Sequence, residues 1–354
     1  MARDSPLTIH YLLEDTPLFG GVKVVLQQAT LLAARGHQVT VISKGPRPSW
    51  FPLGTRFLQV PVFSGQHLPP AEVLVATYWT TIVPALEADR GQVVHYCQGF
   101  EGSYTHNQAD HPAVLAAYRQ PVPAMVVAPH LATLLQARFG RPARVVPQPL
   151  EPFWRPRRLK RRPGRPPRIL VTSPFEIDWK GVPTALAAVR QLREKGLSCR
   201  LVRLSQWPLS PAEQAVLAAE EFHHHLTPEQ AAPLFRSCDL LLAPSWEQEG
   251  FGLTVLEAMA SGVPVVASDV SCFRGYAAAA ARLVPFDQPS AFAAAARELL
   301  TEAERWRQHR RAGLRLARGY SAARSAQVAE EVLRWVASGA WRQELATPPR
   351  PAGD

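Results

Sequence analysis

The chain has few cysteines and no long apolar run. Its four cysteines, Cys97, Cys199, Cys238 and Cys272, are far apart and form no C-x-x-C pair. That spacing fits a reducing cytosol. No stretch reaches the roughly 18 apolar residues needed to span a bilayer. Residues 1–16 carry Asp4, Glu14 and Asp15 and no cleavage-site pattern, so they do not read as a signal peptide. A cytoplasmic protein is expected. Acidic residues are missing from one segment. Between Arg155 and Arg168 stand eight basic residues and no acidic one: Arg155, Arg157, Arg158, Lys160, Arg161, Arg162, Arg165 and Arg168. These account for all but two of the ten net positive charges. The rest of the chain is nearly neutral, and the run has no interleaved aromatics, so nucleic-acid binding is not expected. A solvated linker is the simplest reading of this run. Peripheral contact with anionic headgroups at the inner face of a membrane is the functional alternative.

What is present is enough apolar side chain, 47% of 354 residues, for two α/β cores. Thr8–Leu13, Val39–Ile42, Val73–Ala76, Val93–Cys97, Met125–Ala128 and Arg144–Val146 read as strands. Helical spacing of apolar residues marks Val22–Arg35, and His130–Phe139 reads as a helix. Runs apolar throughout indicate parallel strands covered on both faces. The Pro- and Arg-rich stretch 151–167 breaks this rhythm. Beyond it come strands at Ile169–Thr172 and Cys199–Leu204, with a helix from about Gly181 to Lys195 between them. Thr227-Pro228-Glu229-Gln230 has the residues of a capped helix start. Asp239–Ala243, Leu253–Ser261 and Pro264–Ala267 read as strand, helix, strand, and Ala322–Ala337 as a last helix. The expected organisation is a Rossmann-like domain over 1–150, a basic linker over 151–167, a second Rossmann-like domain over 168–320, and a helix over 321–340 returning to the first. Two such domains would face each other across a cleft, with ligands at the C-terminal ends of strands.

The most informative segment is 239–269, DLLLAPSWEQEGFGLTVLEAMASGVPVVASD. A buried strand leads into a loop carrying Glu247 and Glu249. Gly250 and Gly252 permit close backbone approach to a ligand. A helix then starts near Leu253, and its free N–H groups and dipole favour an anion such as a diphosphate. Glu257 lies about one turn in, where a carboxylate can accept hydrogen bonds from the two hydroxyls of a ribose.

The spacing Glu249-x7-Glu257 within EGFGLTVLEAMASGVPVV resembles the signature of GT-B glycosyltransferases of the group 1 type (family 4). The resemblance implies sugar transfer from a nucleotide-diphosphate donor to a hydroxyl acceptor, with retention of configuration, no metal and no cofactor. The transferred group would be a hexosyl or deoxyhexosyl. The implied partners are a nucleotide sugar and a glycan or lipid-linked acceptor, as in polysaccharide or glycoconjugate assembly. Glu249 would contact the donor sugar, Glu257 the ribose, and the amides of Gly252, Leu253 and Thr254 the diphosphate. Gly250, Phe251 and Ser173 fall on the donor side. Lys180, in Asp178-Trp179-Lys180-Gly181, resembles the lysine that pairs with the diphosphate. Gly20 and Gly21, read as preceding the first helix, resemble the glycine loop near the acceptor. Two positions depart from the pattern. No Arg precedes Lys180 in Thr172–Ile177, and Gln98 stands where a His is usual. A subset of bacterial polysaccharide transferases carries a run similar to Gln98-Gly99-Phe100-Glu101, so Gln98 is retained as a catalytic candidate. A non-catalytic nucleotide-sugar binder and another GT-B enzyme, such as a nucleotide-sugar epimerase, are the alternatives.

Other polar residues have plainer readings. His95, inside an apolar strand, reads as a core residue, and His106 and His111 as loop residues. His223, His224 and His225 are consecutive, so on a strand they point to opposite faces and do not converge on a metal. Glu176-x-Asp178 imitates a metal-binding acidic motif, but Lys180 stands beside it.

Overall fold

The computed structural model describes residues 5–156 and 162–345. Arg157, Arg158, Lys160 and Arg161 lie outside them. The chain folds as two compact units, Met1–Pro149 with Ser321–Asp354, and Leu150–Tyr320.

Unit 1 begins β1 (Thr8–Leu13), α1 (Gly20–Ala34), β2 (Gln38–Ser43), β3 (Arg56–Gln59) and β4 (Val73–Ala76). It continues α2 (Trp79–Ala88), β5 (Gln92–Cys97), α3 (His111–Tyr118), β6 (Ala124–Val126), α4 (Pro129–Phe139) and β7 (Ala143–Val145). The seven strands pair in parallel in the order β3-β2-β1-β4-β5-β6-β7. Every residue of β4 is buried, as expected of an apolar strand between two helical layers. α1 starts at Gly20, so Gly20 and Gly21 form its first turn rather than a loop ahead of it. The apolar periodicity becomes visible only at Val22, because two residues without side chains carry no pattern.

Unit 2 runs β8 (Arg168–Thr172), α5 (Val182–Glu194), β9 (Arg200–Ser205), α6 (Pro211–Val216), β10 (Glu221–His224), α7 (Pro228–Ser237) and β11 (Leu240–Ala243). It continues α8 (Leu253–Ala260), β12 (Val265–Ser268), α9 (Ser271–Tyr276), β13 (Arg282–Val284), α10 (Pro289–Thr301) and α11 (Ala303–Ala317). Its six strands are parallel, in the order β10-β9-β8-β11-β12-β13. Thr227 caps α7 reciprocally: its Oγ accepts from Gln230 N–H, while its own N–H donates to Gln230 Oε1 at 3.0 Å. His223 and His224 stand on the edge strand β10, whereas His225 has left it with φ 54°.

The described parts of the basic segment are exposed at Arg155, Arg162 and Arg165, and the chain at either end of the run is anchored to unit 2. Trp154 is buried with its ring edge-on to Phe235 of α7, centroids 5.1 Å apart. Asp239 accepts from the N–H groups of Gly164 and Arg168, at 3.0 and 2.8 Å.

The chain returns to unit 1 through α12 (Ala322–Ala337), which packs on α1 and buries Ala329, Leu333 and Val336. Burying a Leu- or Val-sized side chain contributes about 1.5–3 kcal/mol. Glu330 of α12 adds a polar anchor, accepting from Arg35 at 2.6 Å and from Arg334 at 2.9 Å. No helix among the described residues is long and apolar enough to cross a membrane.

Candidate functional site

In unit 2 the chain runs from β8 outward to β9 and β10, then returns to lay β11 against the other side of β8. The loops after β8 and β11 therefore flank the point where the strand order reverses, at the C-terminal strand ends where ligands of such sheets bind. Both loops carry charge. The first holds Lys180, the second Glu249, and the ammonium donates to Glu249 Oε2 at 2.6 Å. Ser245 Oγ donates to the same oxygen at 2.9 Å. The two loops are also joined through the backbone, Trp246 N–H to Trp179 O at 2.8 Å. They approach so closely that a Cβ on Gly181 would sit 2.2 Å from the Pro244 carbonyl oxygen, and Gly181 has φ 62°. Only glycine meets both demands.

Glu249 is 8% exposed. Burial alone would raise its pKa. The Lys180 ammonium, the Ser245 hydroxyl and the Gly252 amide outweigh it and hold the carboxyl below its ordinary value. The carboxylate is thus fixed in place as an anion.

Gly252 caps α8 with φ 76°, and a Cβ there would meet the Phe273 ring at 2.5 Å. Leu253 and Thr254 follow in the first turn, where N–H groups have no acceptor within the helix. Lys180 and this helix start form an electropositive locus beside a fixed carboxylate. Glu257, 8% exposed, lies one turn further along α8. Phe251 is placed differently from a ligand-facing ring. It is buried, stacked on Tyr276 with centroids 4.3 Å apart, so only its backbone is left to meet a ligand. Ser173 leaves β8 with φ 85°, and its carbonyl accepts from Arg203 Nη2 at 2.9 Å.

Arg203 was not marked by the sequence. It is fully buried on β9, paired with Glu213 at 2.5 Å, and also donates to the Val171 carbonyl at 2.7 Å. It supports the turn after β8. Its guanidinium is committed beneath that loop and does not replace the Arg missing ahead of Lys180. A lone Arg within the apolar run Leu201–Leu204 was its only signal.

The remaining candidates stand on unit 1. Gln98 follows β5 and its Nε2 donates to the Gly21 carbonyl at 3.1 Å. Gln98, Gly20 and Gly21 are thus brought together at the C-terminal strand ends of this sheet. His95 lies fully buried, its ring edge-on to Tyr118 at 5.2 Å. Burial holds its pKa well below the ordinary value, so it remains neutral. His106 lies 3.4 Å from the Tyr78 hydroxyl, and His111 opens α3. Among the described residues no group of three His, Cys, Asp or Glu side chains converges as metal ligands would.

Comparison with known proteins places the chain among similar sequences and folds. Residues 166–302 match the family described as Glycosyl transferases group 1. A lipopolysaccharide core biosynthesis mannosyltransferase, LpsB of Rhizobium meliloti, is 65% identical over 40 residues, 11% of each chain. An MMP alpha-(1->4)-mannosyltransferase of Mycolicibacterium hassiacum is 36% identical over 107 residues, 28% of this chain and 26% of that one. The chain thus matches only about a tenth to a quarter of the length of these curated relatives. Anabaena HepE, solved with UDP-glucose, superposes with a TM-score of 0.77 at 12% identity, covering 92% of this chain and 99% of that one. Residues 166–302 are thus similar to the group 1 glycosyltransferases, and the chain has the two-sheet GT-B fold of these solved structures.

Proposed function

We propose that the chain is a glycosyltransferase that moves a sugar from a nucleotide-diphosphate donor to a hydroxyl acceptor. The observation that carries this is the Lys180–Glu249 pair at the topological switch point of unit 2, beside the Gly252 turn and the free amides of α8. Negative charge grows on the departing diphosphate during transfer. Lys180 and the amides of Gly252, Leu253 and Thr254 stabilise it there, with no metal required. Glu249 orients the sugar, Glu257 holds the ribose, and the backbone at Ser173, Gly250 and Phe251 lines the donor. On unit 1, Gln98 is the proposed catalytic residue and Gly20 and Gly21 are the proposed acceptor residues. The configuration at the transferred carbon is retained. A hexose or deoxyhexose on a uridine or other nucleoside diphosphate is the donor class, in polysaccharide or glycoconjugate assembly. The named mannosyltransferase relatives and the UDP-glucose complex of HepE support this class.

A thermal-shift panel of nucleoside diphosphates and nucleotide sugars tests the binding half, because a ligand specific for the native state raises its melting temperature. Donor hydrolysis without acceptor tests the chemistry. A nucleotide sugar that raises the melting temperature yet is never cleaved would favour a non-catalytic binder. The Gln98 and missing-Arg departures keep that second reading in view. No shift with any nucleotide would remove both.

A further inference from the structure

In unit 1 the loops after β1, β4 and β5 lie at the C-terminal ends of neighbouring strands. Two of them are tied together by Glu101, which is 3% exposed. Its Oε2 accepts from the N–H of Trp79, the first residue of α2, at 3.1 Å. The same oxygen lies 3.1 Å from the hydroxyl of Tyr118, on α3. That hydroxyl lies 3.0 Å from the carbonyl of Gly99. Gly99 follows Gln98, whose side chain reaches Gly21. We propose that Glu101 is a positioning residue for Gln98, acting through the Tyr118 hydroxyl on the Gly99 carbonyl. The proposal rests on the glycosyltransferase reading for its catalytic consequence, and on unit 1 alone for its structural one.

Proton counting gives the mechanism. Tyr118 has one hydroxyl proton and faces two acceptors, Gly99 O and Glu101 Oε2. Both contacts are hydrogen bonds only if Glu101 is protonated. Glu101 then donates to Tyr118, and Tyr118 donates to Gly99. When Glu101 loses its proton, the Tyr118 proton turns to the carboxylate, since charge-assisted bonds are the stronger. The Gly99 carbonyl then keeps only the Cys97 thiol at 3.2 Å, a weak donor.

The surroundings favour the neutral acid. Burial pushes Glu101 up to about 8, against the lowering effects of Tyr118, Trp79 and Arg141. Arg141 is buried and donates to the carbonyls of Val122 and Tyr118, at 2.8 and 3.3 Å, rather than to the carboxyl. The other titratable groups facing the cluster keep one form near neutrality. Burial raises the Cys97 thiol to about 12, raises the phenols of Tyr118 and Tyr78, and holds His95 neutral. Tyr118 is therefore expected to hold Gly99 at neutral pH and to release it as pH rises through about 8.

Glu101→Gln makes a sharp test. The atom facing both partners must accept from Trp79 N–H, so the glutamine turns its carbonyl oxygen there. That oxygen can only accept from Tyr118. The variant thereby copies the ionised state at every pH. The measurement is backbone hydrogen exchange over residues 97–104, corrected for the intrinsic rate, between pH 6.5 and 9.5. The kcat profile is taken alongside. Wild-type protection and kcat are expected to fall about tenfold on crossing pH 8, one hydrogen bond's worth, with donor KM unchanged. Glu101→Gln is expected to be flat, at the wild type's high-pH level. Tyr118→Phe, which removes the relay, should match it. The positioning role is overturned if Glu101→Gln equals the wild type at pH 7, or if either variant keeps the transition. A wild-type exchange transition without any sugar transfer would uphold the positioning role and overturn only the functional reading.

Discussion

Lys180 has two claims on it: the Glu249 carboxylate it touches and the diphosphate it is proposed to meet. This makes the two glutamates of the site separable by experiment. Glu249→Gln keeps the shape, removes the charge and releases Lys180 from its ion pair. Binding of free nucleoside diphosphate is then expected to stay near normal, while kcat falls at least about tenfold, because a charge-assisted bond to the moving sugar is lost. Glu257→Gln is expected to do the reverse. Donor KM and nucleoside diphosphate Kd rise about tenfold or more with kcat little changed, since a ribose contact is equal before and during transfer. Titration calorimetry beside steady-state kinetics reads both, and the opposite pattern would place the donor backwards. Gln98→Ala is expected to lower kcat several-fold at constant donor KM. Glu101 adds a stability signature of definite sign. Its pKa is raised from 4.5 to about 8 on folding, so the native state holds a proton the unfolded chain releases. Stability therefore falls as pH rises between those values and levels off above them. Melting curves across this range should show that slope in the wild type and lose it in Glu101→Gln.

The proposed donor side is organised by one element, α8, and by the turn that starts it. Gly252→Ala would set a Cβ into the Phe273 ring and force a side chain onto φ 76°. The expected cost exceeds about 1 kcal/mol, with weakened nucleotide binding, because the amides of Leu253 and Thr254 move with the turn. Equilibrium unfolding and the nucleotide titration together check this. Thr227→Ala, at the cap of α7 and away from the site, should cost about 1 kcal/mol of stability and leave donor KM unchanged. The elements most legible in the sequence were of two kinds: short apolar strands buried on both faces and helices with a regular apolar stripe. β1, β4, β11 and α8 are short apolar runs with one solution each. β3 and β10 were missed because they are edge strands with polar, partly exposed residues, Arg56–Gln59 and Glu221–His224. α2 was missed because Thr80, Thr81, Ile82 and Val83 are β-branched and Pro84 sits inside the helix. The candidate donor residues stand out in the sequence because a glycine turn, a helix start and two carboxylates are all local in sequence. Glu101, Tyr118 and Arg141 were not, because a buried carboxyl looks like an exposed one until the chain is folded around it. Gln98 was legible by position, but its tie to Gly21, 77 residues away, was not.

At the scale of the molecule, charge and connectivity are the informative features. The basic run from Arg155 to Arg168 is expected to act locally. Neutralising Arg157, Arg158, Arg161 and Arg162 should leave soluble-donor binding intact. It should weaken association with anionic vesicles by up to about 1 kcal/mol per charge, as read by vesicle co-sedimentation. Equal co-sedimentation of variant and wild type would leave a plain connector. Connectivity separates the two halves more deeply. Leu150–Tyr320 is one continuous stretch, whereas the other unit is completed only when α12 reaches α1. The two units therefore mature in an order opposite to that in which they are begun. During translation, the sheet begun at Thr8 has all its strands once Val145 has emerged, yet its last helix is still about 190 residues from completion. At roughly 5–20 residues per second, that leaves the α1 surface uncovered for about 10–40 s. The inserted unit can fold within that interval, while the unit that surrounds it waits, with apolar surface open to chaperones, for the last helix to be made.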